Sequence, residues 1–236
     1  MSQHPPQLIV ALDVDTLDKA AGLVRQLGGE VEIYKVGSQL FTACGPEIVH
    51  YLLQRDKKVF LDLKFYDIPN TAANAVSAAI GLRQGDKSVF MCTLHIEGGR
   101  EMLQRAAASA AKTAQNIGVT RPLLIGITVL TSEAKKDNIH QLVLERSDLA
   151  RQAGLDGVVA SVHEARAIRE RLGNKFVIVT PGIRPRGSRT GDQKRTATVE
   201  EAVSNGSDFL VIGRPIVEAD SPIEAVQQIL REIQPK

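Results

Sequence analysis

The sequence predicts an α/β protein built as a single (β/α)8 barrel, a TIM barrel, over residues 1–236. Three observations carry this. Eight short runs rich in Val, Ile and Leu recur with little polar alternation, the pattern of strands covered on both faces. Amphipathic helical stretches lie between them. The repeat of roughly 25–30 residues is the size of one βα unit. Eight such units in one chain of this length close naturally into a barrel. An open doubly wound sheet shares the alternation, but no GxGxxG follows the first run, and no linker or low-complexity segment divides the chain.

In order, the first strand is "LIVALDV" (8–14), followed by "TLDKAAGLVRQLGG", whose apolar residues recur at three and four and which ends on glycine. "VEIYKVG" (31–37) is the second strand and "GPEIVHYLLQRD" a helix after it. "KVFLDLK" (58–64) is the third, with "NTAANAVSAAIGLRQ" following. "SVFMCTLHI" (88–96) is the fourth, with the long helix "GREMLQRAAASAAKTAQ". "PLLIGITVL" (122–130), "DGVVAS" (156–161), "KFVIVTP" (175–181) and "DFLVIGRP" (208–215) complete the eight, with "HEARAIRERLG" a helix between the sixth and seventh. The longest irregular stretch, "PGIRPRGSRTGDQKR" (181–195), follows the seventh strand, and loops of this length are usually functional or disordered.

Composition narrows the function. The chain is 43% apolar and 24% charged, enough to bury a full core, roughly 70–75% of its unfolded surface. A net charge of +2 does not suggest a nucleic-acid or membrane surface. Absence of Trp argues against a stacking platform for single strands. Cys44 and Cys92 form no CxxC pair and read as small hydrophobes of a reducing compartment. The start "MSQHPPQLIVALDV" has neither the basic region nor the apolar run of a signal peptide, and no stretch approaches the ~20 apolar residues of a membrane span. The expectation is a cytoplasmic protein.

The chemistry is concentrated at strand ends, where barrels place catalytic groups. In "FLDLKFYDIP", Val59, Leu61, Leu63 and Phe65 alternate with Asp62 and Lys64, and Asp67 follows. Side chains two apart share a face, so Phe60, Asp62 and Lys64 should point into the barrel while Val59, Leu61 and Leu63 face the helices. A structural ion pair is the plain alternative for Asp62 and Lys64. With Lys35 and Asp67 added, four charges of alternating sign can hold a lysine protonated and aimed, useful for stabilising and then protonating a carbanion. Asp13 either joins this group or caps a turn. A second, phosphate-like set comprises Arg184, Arg186, Arg189, Lys194 and Arg195 of the long loop, with Gly213 and Arg214 at the eighth strand. A solvated basic loop is the alternative for most of these, but not for Arg214. Thr131 either offers a hydroxyl to a ligand or caps a turn. His95 reads as a structural histidine, and no His cluster suggests a metal site.

The run "FLDLKFYDIPNT", together with "ALDV", "YKVGSQLF", "LTS", "GLDGVVAS", "VTPGIRP", "GDQ" and "VIGRPI", resembles the orotidine 5′-phosphate decarboxylase family from about residue 8 to about 232. The resemblance implies release of CO2 from orotidine 5′-monophosphate to give UMP, the last step of pyrimidine synthesis, with no metal and no organic cofactor. It implies a homodimer with sites at the subunit interface. Lys35, Asp62, Lys64 and Asp67 would form the charged network, with Lys64 protonating C6. Asp67, Ile68 and Thr71 would serve the neighbouring subunit's site. Asp13 and Lys35 would hold the ribose hydroxyls, and Thr131 would lie near the pyrimidine. Arg184, Gln193, Gly213 and Arg214 would belong to the phosphate and closure region, with Pro181 to Gln193 folding over the ligand. Magnesium-dependent relatives on this fold, acting on sugar phosphates, share the Asp-x-Lys-x-x-Asp run but carry an acidic residue where Lys35 stands, because the metal needs a carboxylate. A barrel that binds a phosphate ligand without catalysis would have no need of Lys64. One departure from the bacterial pattern is "TLHIEGG", with Thr93, Ile96 and Glu97 in place of an Asn-Val-His-Ala-Ser-Gly-Gly-like run. It leaves Thr93, His95 and Glu97 without an assigned role.

Overall fold

A computed structural model describes residues 5–130, 138–185 and 196–234. Eight parallel strands close into a barrel in sequence order, with β1 paired to both β2 and β8. The elements are β1 (Gln7–Ala11), α1 (Leu17–Leu27), β2 (Ile33–Gly37), α2 (Ser38–Cys44), α3 (Glu47–Leu53), β3 (Lys58–Phe65) and α4 (Pro69–Gly81). Then come β4 (Met91–His95), α5 (Gly99–Ile117), β5 (Leu123–Ile127), α6 (Ile139–Gln152), β6 (Gly157–Val159) and α7 (Val162–Leu172). β7 (Val177–Thr180), α8 (Val199–Ser204), β8 (Phe209–Ile212), α9 (Arg214–Val217) and α10 (Pro222–Ile233) complete the described chain. All eight expected strands are present, six of them inside their expected runs, while β1 begins one residue early at Gln7 and β3 runs one residue longer to Phe65.

Local chemistry explains the boundaries. Thr16 caps α1 by accepting from the Lys19 amide, and Thr198 with Glu201 forms a reciprocal capping box at α8. Gly118 ends α5 at φ +69°, a left-handed conformation that glycine adopts without steric cost. Several strands, β1 and β8 among them, stop earlier than their apolar runs suggest. β1 ends at Ala11, so Asp13 lies beyond it, and β8 ends at Ile212, so Arg214 opens α9 rather than closing a strand. The ladder lasts only while a neighbouring strand offers partners, and at the rim each chain turns away.

Two layers of core follow from the pleat. Ile9, Ala11, Ile33, Phe60, Met91, Ile125, Val179, Phe209 and Val211 fill the barrel interior. Val10, Tyr34, Val59, Leu61, Cys92, Leu124, Val158 and Ile178 face the helices. Phe60 inward with Val59 and Leu61 outward is the expected parity. Cys92 is fully buried, and burial pushes its thiol up to about 12. Cys44 is only partly buried.

The face opposite the strand C-termini is pinned by two similar devices. Asp156 accepts from the Leu124 amide at 2.7 Å and pairs with Arg121. Asp208 accepts from the Ile178 amide at 2.7 Å and pairs with Arg169 at 2.6 Å. Arg169, only 7% exposed, also donates to the carbonyls of Gly173, Phe176 and Gly206. Among the described residues, no helix is long and apolar enough to cross a membrane.

Candidate active site

The C-terminal mouth of the barrel holds a cavity of about 210 Å³. Its floor is apolar, made by Ala11, Phe60, Ile127, Val159, Val179 and Val211. Its polar wall carries Asp13, Lys35, Asp62 and Lys64 on one side and Arg184 and Arg214 on the other, with Pro181 and Gly213 between. Eight residues expected to serve the site, drawn from strands two and three and from the segments that follow strands one, seven and eight, therefore line one space.

The charges form a zigzag of alternating sign. Lys64 Nζ donates to Asp62 Oδ2 at 2.8 Å. Lys35 Nζ lies 3.8 Å from the same oxygen and donates to Asp13 Oδ1 at 2.9 Å. The side chains of Lys35 and Asp62 are 11% and 12% exposed, against 37% for Lys64 and 50% for Asp13. Desolvating Asp62 alone would cost several kcal/mol, but two ammonium groups and a hydroxyl converge on its carboxylate. Lys64 is the most open of the three residues Lys35, Asp62 and Lys64, all of which line the cavity. Backbone clears space for the zigzag. A β-carbon on Gly37 would stand 3.0 Å from Lys35 Nζ, and one on Gly213 would stand 3.1 Å from Asp13 Oδ2. Glycine at both positions lets the backbone pass close to the charged atoms.

Lys64 does not reach the cavity by simple alternation. Leu61 pairs with Cys92 and Phe65 with Leu94, so β3 spends four steps where β4 spends two. Within this bulge Lys64 adopts φ +52°, a left-handed conformation that is costly for a residue with a β-carbon. Its amide, displaced from the ladder, donates to Thr93 Oγ1 at 2.8 Å. The Thr93 hydroxyl in turn donates to Asp62 Oδ1 at 2.9 Å. Thr93, fully buried on β4, is thus a contact of the site that sequence reasoning left without a role. The available signal was its parity with Met91, which points it into the barrel.

Asp67, Ile68 and Thr71 are not among the residues lining this cavity and are exposed around the start of α4. Asp67 Oδ1 accepts from the Ile68 amide at 2.7 Å. Within one chain the charges that meet are Asp13, Lys35, Asp62 and Lys64, and Asp67 is not among them. Tyr66 and Ile68 are exposed large hydrophobics, at 59% and 67%. His95 stacks on Tyr66 with ring centroids 5.4 Å apart and lies 3.9 Å from Glu97. Glu97 pairs with Arg146, which also donates to the Thr128 carbonyl, so the altered fourth-strand run is tied to α6 and to the end of β5. Thr131 and Gln193 lie outside the described residues, as do Arg186, Arg189, Lys194 and Arg195.

A sequence model described as the orotidine 5′-phosphate decarboxylase / HUMPS family matches residues 6–229. The chain belongs to that family. Among relatives named orotidine 5′-phosphate decarboxylase, one from Legionella pneumophila (strain Lens) is 48% identical over 236 residues, covering 97% of this chain and 99% of its own. Another from Moorella thermoacetica is 45% identical over 237 residues, covering 97% and 92%. The crystal structure of the orotidine 5′-phosphate decarboxylase from Lactobacillus acidophilus superposes with a TM-score of 0.83 at 33% identity, covering 98% of this chain and all of that one. The orotidine 5′-phosphate decarboxylase / HUMPS family assignment thus rests on sequence and fold over nearly the whole chain.

Proposed function

We propose that this enzyme releases CO2 from orotidine 5′-monophosphate to give UMP, with Lys64 as the proton donor to C6 of the pyrimidine. The observation that carries the reading is Lys64 Nζ held 2.8 Å from Asp62, while Lys35 bridges toward that carboxylate and to Asp13 at the mouth of the cavity. When the C6–carboxylate bond breaks, its electron pair stays on C6 as a vinyl carbanion with little resonance help. An ammonium aimed at C6 favours that charge more than the starting carboxylate, and this difference is what raises rate. Lys64 then gives its proton to C6, and water reprotonates the resulting amine. Asp62 keeps the ammonium charged and in place, and its own charge disfavours the substrate carboxylate beside it. Family membership spans magnesium-dependent sugar-phosphate enzymes as well. Lys35 supports the decarboxylase branch, because an ammonium stands where those enzymes need a metal-binding carboxylate.

In this reading Asp13 and Lys35 hold the ribose hydroxyls. Pro181, Arg184, Gly213 and Arg214 receive the phosphate end, across the cavity from Lys64. The segment 181–195, including Gln193, folds over the ligand, and Thr131 lies near the pyrimidine. Two chains form a homodimer in the cytoplasm, each lending Asp67, Ile68 and Thr71 to the other's site. Exposure of Ile68 and Tyr66 beside Asp67 supports an apolar contact there. Neither metal nor organic cofactor takes part.

The test is Lys64→Ala. Turnover of orotidine 5′-monophosphate, followed by loss of pyrimidine absorbance, should be nearly abolished while UMP still binds. Turnover near that of the unaltered protein would refute the role of Lys64. For the shared site, mixing Asp67→Ala with Lys64→Ala should restore partial activity, because one of the two sites in a mixed dimer is intact. No recovery despite proven subunit exchange would refute it.

A further inference from the structure

We propose that Thr93 is a positioning residue for the proton donor, acting through its hydroxyl on both Asp62 and the backbone of Lys64; the inference rests on the decarboxylase reading above. Thr93 makes two hydrogen bonds that run in one direction. Its Oγ1 accepts from Lys64 N at 2.8 Å and donates to Asp62 Oδ1 at 2.9 Å. A hydroxyl is one of the few groups that can do both at once, since it carries one proton and two lone pairs.

The geometry explains why the position matters. Lys64 sits in the bulge of β3 at φ +52°. That conformation removes its amide from the β4 ladder, and an unpaired buried N–H would favour reversion to a regular strand. Thr93 supplies the missing acceptor from the very strand whose ladder was broken. The kink and the direction of the Lys64 side chain are therefore set from β4. The second bond acts on the counterion. Asp62 Oδ2 faces Lys64 and Lys35, and with Oδ1 held by Thr93 the carboxylate is fixed against rotation about its last bond. One buried hydroxyl thus orients donor and counterion together. A shift of about 1 Å in a reacting group can cost on the order of 100-fold in rate.

Thr93 touches no reacting atom in this scheme, so its removal should change turnover without changing ligand binding. The experiment compares Thr93→Val, Thr93→Ala and Thr93→Ser in the full chain. Sites are counted by UMP titration and kcat is expressed per UMP-binding site, which removes unfolded protein from the comparison. Thr93→Val keeps the volume and loses the hydroxyl; Thr93→Ser keeps the hydroxyl and loses the methyl. Thr93→Val and Thr93→Ala should lose between about 10- and 100-fold in kcat with KM and UMP affinity within about threefold of the unaltered protein. Thr93→Ser should stay within about threefold in all three quantities. The inference is overturned if Thr93→Val keeps its kcat, if Thr93→Ser falls as far as Thr93→Val, or if the loss lies in KM alone. Collapse of folding in both Val and Ala would assign the hydroxyl to stability and overturn it as well. Failure of the decarboxylase reading looks different: the unaltered protein itself would not turn over orotidine 5′-monophosphate.

Discussion

Asp62→Ala tests whether the zigzag of charges is held together by its central carboxylate. Two donors and a second cation converge on Asp62: Lys64 Nζ at 2.8 Å and the Thr93 hydroxyl at 2.9 Å donate to it, and Lys35 Nζ lies 3.8 Å away as an ion-pair partner. Breaking a fully buried pair costs roughly 3–5 kcal/mol, because a charge is left uncompensated. Two features reduce that here. Lys64 is 37% exposed, so water takes over part of the carboxylate's work, and an exposed pair is worth at most about 1 kcal/mol. Lys35 is 11% exposed but keeps Asp13 at 2.9 Å. The remaining losses are half of Lys35's counter-charge and one buried hydroxyl donor, about 1 kcal/mol each. The sum is about 2–3 kcal/mol, which for a chain of this size lowers Tm by about 4–12 °C. Asp62→Asn should recover little, since an amide that accepts from Thr93 through its oxygen turns its NH2 toward the lysines. The assay is thermal unfolding at fixed protein concentration, in 0.15 M and 1 M NaCl. The loss should persist at high salt, as partly buried pairs are screened less than surface ones. A Tm equal to or above that of the unaltered protein, or a loss that vanishes at 1 M NaCl, would refute the reasoning.

Two further predictions concern the frame that holds the site. Arg169→Met should destabilise the barrel by about 3–5 kcal/mol in denaturant unfolding, because Asp208 and the carbonyls of Gly173, Phe176 and Gly206 lose their donor; a midpoint shift worth under 1 kcal/mol would show that water or repacking replaces it. Tyr34→Phe should be neutral or stabilising by up to about 1 kcal/mol, since the buried Tyr34 hydroxyl has no hydrogen-bond partner among the described residues and burial already pushes its ionisation up; a destabilisation of more than about 1 kcal/mol would show that the hydroxyl is satisfied in solution and overturn this.

The sequence by itself determined the architecture and most of the residues that line the candidate site. Eight apolar runs at the spacing of βα units name a barrel, because strands buried on both faces must be apolar along their length and the helices between them must not be. Asp62, Lys64, Lys35, Asp13 and Arg214 were legible as residues of one cavity for the same reason. A charge next to an apolar strand is conspicuous, and barrel topology sends every such strand end to one mouth. What only the tertiary structure decided is how those charges meet. The bulge in β3 and the left-handed turn at Lys64 leave no mark in an alternating pattern that continues unbroken through Phe65. The pairing of Lys35 with Asp13 joins residues 22 apart in the chain and depends on β1 and β2 lying side by side in the barrel. Thr93 was the least legible of all. A threonine in a strand is ordinary by composition, and its importance comes from two atoms on another strand that lie within 3 Å of its hydroxyl. Periodicity records which face a side chain takes; the partner it finds there is set by register between strands far apart in sequence.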